Sequence, residues 1–340
     1  MKRFQIVLIV IPLLYWAGCG DDDNGDNEGN PVISGRTIYI VGSDDGGACY
    51  WVNGSRVELS GGAWATDIVV VDGTVYISGQ ADITTDYEAC YWINQEIYEL
   101  PGNGGEAEAI AVDGDDVYVA GWFNNGSCYW KNGERINLTT NAESQAFAIG
   151  VRNNGSVYIG GYYMNNHHYI IPCFWKDGNN RTNLPVPTHG DGEVYDITFD
   201  EAGNMRYYAG FTMKPDNLTG YAPKAARWRH TVRTDLPDGT SDISLYGTGS
   251  YGITIDGEDI YVAGYTDWIG DYDDDNTGGT FPRYWKNNKA HDLEGGPNTV
   301  FGTGQANDIR VADGNVVVVG MATGGPTGES ACYWLNGELN

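Results

Sequence analysis

Residues 109–138 run Ala109-Ile110-Ala111-Val112-Asp113-Gly114, then Val117-Tyr118-Val119-Ala120-Gly121, then Cys128-Tyr129-Trp130-Lys131-Asn132-Gly133, and finally Arg135-Ile136-Asn137-Leu138. Short runs rich in Val, Ile, Tyr and Trp, separated by Asp-Gly and Asn-Gly, have the composition of β-strands joined by tight turns. The same four runs recur along the chain. The second run ends in glycine seven times, at Gly42, Gly79, Gly121, Gly161, Gly210, Gly264 and Gly320, with Tyr in the first six and Val316-Val317-Val318-Val319 in the last. Each copy is followed by a strand centred on a tryptophan: Trp51, Trp92, Trp130, Trp175, Trp228, Trp285 and Trp334. Successive glycines lie 37 to 56 residues apart, and no helical period competes with the strand pattern. Seven units of four short strands predict an all-β fold, a seven-bladed β-propeller of four-stranded antiparallel blades.

We name the strands of a unit A (Ile110-type), B (Tyr-Gly), C (Trp) and D (ending in Leu). Strands B and C carry large apolar residues at neighbouring positions, such as Tyr50 beside Cys49 and Trp51. Both faces of each sheet are therefore buried, as stacked blades require and a sheet with one wet face does not. The tryptophans read as wedges between blades. The first A strand is expected at residues 31–34 (Pro31-Val32-Ile33-Ser34), and the last D strand at Glu338-Leu339-Asn340, so that no strand is borrowed across the ring closure. With strand B ending in Gly and an aromatic strand after it, residues 31–340 resemble kelch-type propellers. The second Gly of the kelch pair is mostly absent, so the resemblance implies the architecture and no activity.

The amino terminus reads as an address. Met1-Lys2-Arg3 precedes an apolar run from Phe4 to Trp16, and then Ala17-Gly18-Cys19. A positive start, a short apolar core and small residues have the form of a secretory signal. The cysteine after Ala17-Gly18 resembles a bacterial lipobox, although Trp16 stands where that family usually has Leu. The resemblance implies cleavage after residue 18 and lipidation of Cys19. Residues 19–30 contain no apolar side chain after Cys19 and form an acidic tether. An acidic run directly behind such a cysteine resembles the surface-export signal of Bacteroidota lipoproteins. The expected organisation is thus a signal peptide over 1–18, a tether over 19–30 and a propeller over 31–340, anchored to the bacterial outer membrane and exposed at the cell surface.

The chain has 46 Asp plus Glu against 19 Lys plus Arg, a formal net charge of −27. Without a basic stripe, that charge excludes nucleic acid and leaves membrane attachment to lipid alone. No motif calls for a cofactor, and the propeller is expected to be a monomeric domain.

From the strand-B Gly to the next Trp the chain takes 9, 13, 9, 14, 18, 21 and 14 residues, whereas the A-to-B turns, and most of the C-to-D turns, are tight. B-to-C and D-to-A connections leave from one side of the disc. One face is therefore short turns, and the other is long loops, where binding groups concentrate. Trp64, Trp122, Tyr163, Tyr221 and Trp268 are the candidate ligand-binding residues on that face, rings beside Asp, Asn and Gln that suit a carbohydrate. Asp271, Asp273 and Asp275 alternate like the opening of a calcium loop. However, Asn276 and Pro282 stand where the Gly and the bidentate Glu belong, and a solvated acidic loop accounts for them better. Cys49, Cys90, Cys128, Cys173 and Cys332 each precede a strand-C Trp by two residues and are expected to be reduced core residues. No catalytic motif is present. The reading is a non-enzymatic surface propeller that binds a glycan or a surface protein. The alternatives are a polysaccharide hydrolase or lyase built from acidic loop residues, and a structural subunit of an outer-membrane complex.

Overall fold

The computed structural model describes residues 7–12, 36–44, 46–82, 87–102, 104–124, 126–139, 143–187, 190–216, 220–238, 245–268, 279–294, 304–325 and 328–339. They form seven four-stranded antiparallel sheets, each made of four strands consecutive in sequence, and no helix. This is the seven-bladed propeller. Blade 3 shows the plan: A is Glu106–Asp113, B is Asp116–Phe123, C is Gly126–Lys131 and D is Glu134–Asn137. The ring closes by packing, with Ile38 of blade 1 against Val317 and Val319 of blade 7. Arg36 Nε donates to Asp313 Oδ2 across the same seam at 2.7 Å.

The first A strand differs from expectation. The position beside strand B of blade 1 (Arg36–Asp44) is filled by Val7–Pro12, while residues 31–34 lie outside the described residues. The physical reason is composition: Val7-Leu8-Ile9-Val10-Ile11 is an apolar run, β-branched at every position but Leu8, the kind of segment an inner strand buried on both faces requires. The apolar core of a secretory signal has the same make-up, and periodicity does not separate the two. A second difference concerns the long connections. Strand B has 8 residues in blades 3 and 4 but 11 in blades 5 and 7 and 10 in blade 6, so part of the extra B-to-C length is extended hairpin rather than loop.

Strand B does not end at its recurring glycine but runs two to six residues past it, and the glycine has a specific cause. Strand A carries a bulge in each of blades 2 to 7, as between Asp67 and Ala65 opposite Ser78 and Gly79. The backbone carbonyl before the bulge comes so close that a Cβ at Gly79 would lie 2.0 Å from Trp64 O, and one at Gly121 would lie 1.9 Å from Glu106 O. Only glycine fits there.

The C-to-D turns add a second device. Asn94 takes φ 56° at the turn, its N–H donates to Val75 O at 2.7 Å, and its Oδ1 accepts from Val75 N at 3.0 Å. Asn53, Asn132, Asp177, Asn287 and Asn336 make the same reciprocal clasp on the start of strand B in their own blades.

Six of the seven wedge tryptophans are fully buried, each packed against the preceding blade. Four of them also donate Nε1 to a carbonyl just after the preceding blade's strand-D leucine. The acceptors are Pro101, Pro185, Pro237 and Glu294, at 3.4, 3.0, 2.7 and 2.7 Å. Trp51 is only half-buried. Cys49, Cys90, Cys128 and Cys173 are buried free thiols and Cys332 is half-buried, as expected of reduced packing residues.

Candidate functional site

The sequence-derived residues lie at strand ends on the long-loop side, spread over blades 2 to 6. Trp64, near the start of strand A of blade 2 (Gly62–Val71), meets Tyr87 edge to face at 4.2 Å. Trp122, one residue past Gly121, is half-buried and donates Nε1 to Glu106 Oε2 at 3.2 Å. Tyr163, in strand B of blade 4 (Val157–Met164), lies under the Arg181 guanidinium, whose carbon is 3.3 Å from the ring centroid. Tyr221 pairs in register with Pro215, and Trp268 with Leu245 and Gly279. Each of the three described side chains packs on a neighbour within its own blade rather than on another of the five. Cys19, Asp271, Asp273 and Asp275 lie outside the described residues, and among the described residues no cluster of three or more His, Cys, Asp or Glu could hold a metal ion.

The structure adds an arrangement around Tyr163 that sequence reasoning missed. An open cavity of about 580 Å³ on the long-loop side of blade 3 is lined by Pro101, Gly102, Phe123, Asn124, Arg135 and Asn137. The Arg135 guanidinium lies 4.1 Å above the Phe123 centroid, an attraction between cation and ring quadrupole. A Cβ on Gly102 would reach the ring at 2.8 Å and Arg135 Nη1 at 3.0 Å, so glycine lets the loop lie against the pair. Blade 4 repeats the set. Phe123 and Tyr163 both stand two residues after the strand-B Gly, and Arg135-Ile136-Asn137-Leu138 aligns with Arg181-Thr182-Asn183-Leu184. Asn183 Nδ2 donates to Tyr163 Oη at 3.3 Å. In blade 1 the same two positions are Asp44 and Arg56, joined by two hydrogen bonds of 2.6 and 2.8 Å.

A second unforeseen cluster lies on the propeller axis. Asp67, Asp196 and Asp308 occupy the residue after the strand-A bulge in blades 2, 5 and 7, and Arg310 of blade 7 sits within the field of all three. Arg310 Nη1 donates to Asp308 Oδ1 at 2.6 Å, and the three carboxylates hold the guanidinium firmly charged against its burial. Desolvation pushes Asp67 and Asp196 up to about 7, although each carboxylate accepts two backbone N–H bonds. For Asp67 the donors are Ile68 N and, from the next blade, Ile110 N, both at 2.8 Å. For Asp196 they are Ile197 N and the next blade's Ile253 N, both at 2.7 Å. Both oxygens of each acid are thus engaged in tying inner strands together. The signal in sequence was the recurring x-Asp-Ile of Thr66-Asp67-Ile68, Tyr195-Asp196-Ile197 and Asn307-Asp308-Ile309. Beside the acids, the bulge residues Phe147, Tyr195 and Tyr251 of blades 4 to 6 form a row of rings with centroids 5.2 and 5.1 Å apart.

No protein-family model matches the chain, and no curated protein matches it. Among solved structures, one similar chain is the extracellular domain assigned to a one-component system from B. thetaiotaomicron, with TM-score 0.49 and 12% identity over 88% of this chain and 37% of that one. The tricorn protease is similar with TM-score 0.48 and 10% identity, over 86% of this chain and 33% of that one. The β-propeller domain of the Trilobed protease from Pyrococcus furiosus has TM-score 0.46 and 10% identity, over 90% of this chain and 87% of that one. The chain therefore spans about a third of the length of the first two.

Proposed function

We propose that the protein is a lipid-anchored, kelch-like propeller displayed at the cell surface of a bacterium, and that it binds a glycan on its long-loop face without chemically altering it. One observation carries the binding reading: the cavity on blade 3 combines a ring-backed guanidinium with the carboxamides of Asn124 and Asn137. Such groups hold polar, hydroxyl-rich ligands rather than apolar ones. The address rests on Ala17-Gly18-Cys19 and the acidic run behind it. Processing before Cys19 removes Val7–Pro12, and in this reading residues 31–34 then take the place beside Arg36–Asp44. Mass spectrometry of the mature amino terminus tests the anchor: a diacylglyceryl Cys19 is expected, and an unmodified chain beginning at Met1 overturns it. A glycan array tests the binding, with signal above background on at least one glycan class as the expected result.

The turnover reading is favoured by one arrangement, the convergence of Asp67, Asp196 and Asp308 around Arg310, where burial raises Asp67 and Asp196 toward the range of a general acid. Their four oxygens are engaged by backbone N–H groups, so we assign them to holding blades together. Product release from a polysaccharide panel, lost on Asp67→Asn, would reverse that assignment.

A further inference from the structure

Resting on the glycan-binding reading, we propose that Arg135 and Arg181 form two equivalent sites for the carboxylates of an acidic, uronate-containing polysaccharide. The comparison with blade 1 carries the argument. There the arginine of strand D (Ser55–Glu58) meets Asp44 with two hydrogen bonds, and its fork is spent on the protein's own carboxylate. In blades 3 and 4 the position of Asp44 is Phe123 or Tyr163, and the guanidinium is held by the ring face instead. A ring fixes the plane of a guanidinium but accepts none of its in-plane N–H bonds. The Arg135 guanidinium uses one donor on Pro101 O, at 3.4 Å, and among the described residues the Arg181 guanidinium makes no hydrogen bond or ion pair. Each site is thus a ring-held fork, half-buried at Arg135 and exposed at Arg181, whose matching partner in blade 1 is a carboxylate, the planar acceptor that guanidinium binds with two parallel bonds.

The second residue of each site selects the ligand class. Asn137 and Asn183 stand two positions after the arginine, both exposed, and a carboxamide both donates to and accepts from hydroxyls. Blade 1 has Glu58 there. Two like sites on adjacent blades match a ligand that repeats the same acid and the same hydroxyls along its length. A polyuronate does so, and its two contacts reinforce one another through effective concentration. The whole chain carries −27, so no long-range field draws in an acidic polymer, and recognition falls to these two local cations.

The test is isothermal titration of the propeller with polygalacturonate, with the same polymer fully methyl-esterified, with a neutral glucan and with poly-glutamate. Polygalacturonate alone is expected to bind. Arg135→Gln and Arg181→Gln should each weaken binding several-fold, and together by 100-fold or more, whereas Arg56→Gln should leave it unchanged. Thermal melting of each variant verifies folding, and the esterified polymer tests the charge requirement on the wild-type protein. Equal binding of the esterified or neutral polymer would overturn the carboxylate assignment and leave glycan binding standing. Poly-glutamate binding as tightly would transfer the sites to an acidic peptide and overturn the proposal. No binding to any polysaccharide would remove both readings.

Discussion

Ile110 N donates to Asp67 Oδ2 at 2.8 Å, so a carboxylate of blade 2 is a hydrogen-bond partner in the inner strand of blade 3. Ile253 N and Asp196 Oδ2 do the same between blades 5 and 6 at 2.7 Å. Desolvation by the surrounding inner strands raises both acids from 3.8 to about 7, opposed by Arg310 and, through charge repulsion, assisted by Asp308. Between the unfolded carboxylate range near 4 and pH 7, the folded state binds the extra protons, so stability falls as pH rises through that window. The melting temperature should drop from pH 5 to pH 7.5, and Asp67→Asn, although less stable overall, should show a shallower drop. His230 and His291, which burial lowers, act in the opposite direction but are common to both proteins. Equal slopes would mean that Asp67 is ionised well below 7.

Gly121→Ala is expected to destabilise by about 3 kcal/mol or more, because its Cβ would meet a backbone carbonyl that cannot swing away. Gly114→Ala has nothing within 4 Å and meets only the cost of φ +60°, about 1 kcal/mol. Urea unfolding of the two variants separates the two roles of glycine in this repeat, and a ranking in the reverse order would refute the bulge explanation.

At the turn in blade 2, Asn94→Ala removes the acceptor for Val75 N and leaves alanine at φ 56°, for an expected loss of about 2 kcal/mol. Asn94→Asp keeps the acceptor, as Asp177 does in blade 4, and should remain within about 0.5 kcal/mol of wild type. Chemical denaturation of both variants measures the difference.

The thiols offer a test of packing. Burial raises Cys49 to about 11, and Cys128 and Cys332 to about 12, and it raises Cys90 and Cys173 as well. Thiol reagent at pH 8 should leave Cys49, Cys90, Cys128 and Cys173 unmodified in the folded protein and label all four in denaturant. Fast labelling of any of them while folded would place it outside the blade interior.

Seven apolar runs ending in Gly, six of them with Tyr, and each followed by a Trp strand, were enough to read the blades, because tight turns and double-faced burial leave local signatures. What escaped the reading was set across blades. Val7–Pro12 and residues 31–34 compete for one strand position, and nothing local decides between two apolar segments. Asp67, Asp196 and Asp308 converge only through the ring closure, although the x-Asp-Ile repeat was visible. Tyr163 could be picked as a long-loop aromatic, but its pairing with Arg181 joins strands B and D on opposite sides of strand C. Spacing along the chain carries no trace of that contact.

Hydrogen exchange of the propeller, with and without a saturating glycan identified on the array, tests directly where the ligand sits. The account predicts slower exchange in the segments around Phe123-Asn124, Arg135–Asn137 and Tyr163–Asn165, with the opposite turns at Gly114 and Gly155 unchanged. Protection confined to those short turns, or absent throughout the long-loop side, would contradict it.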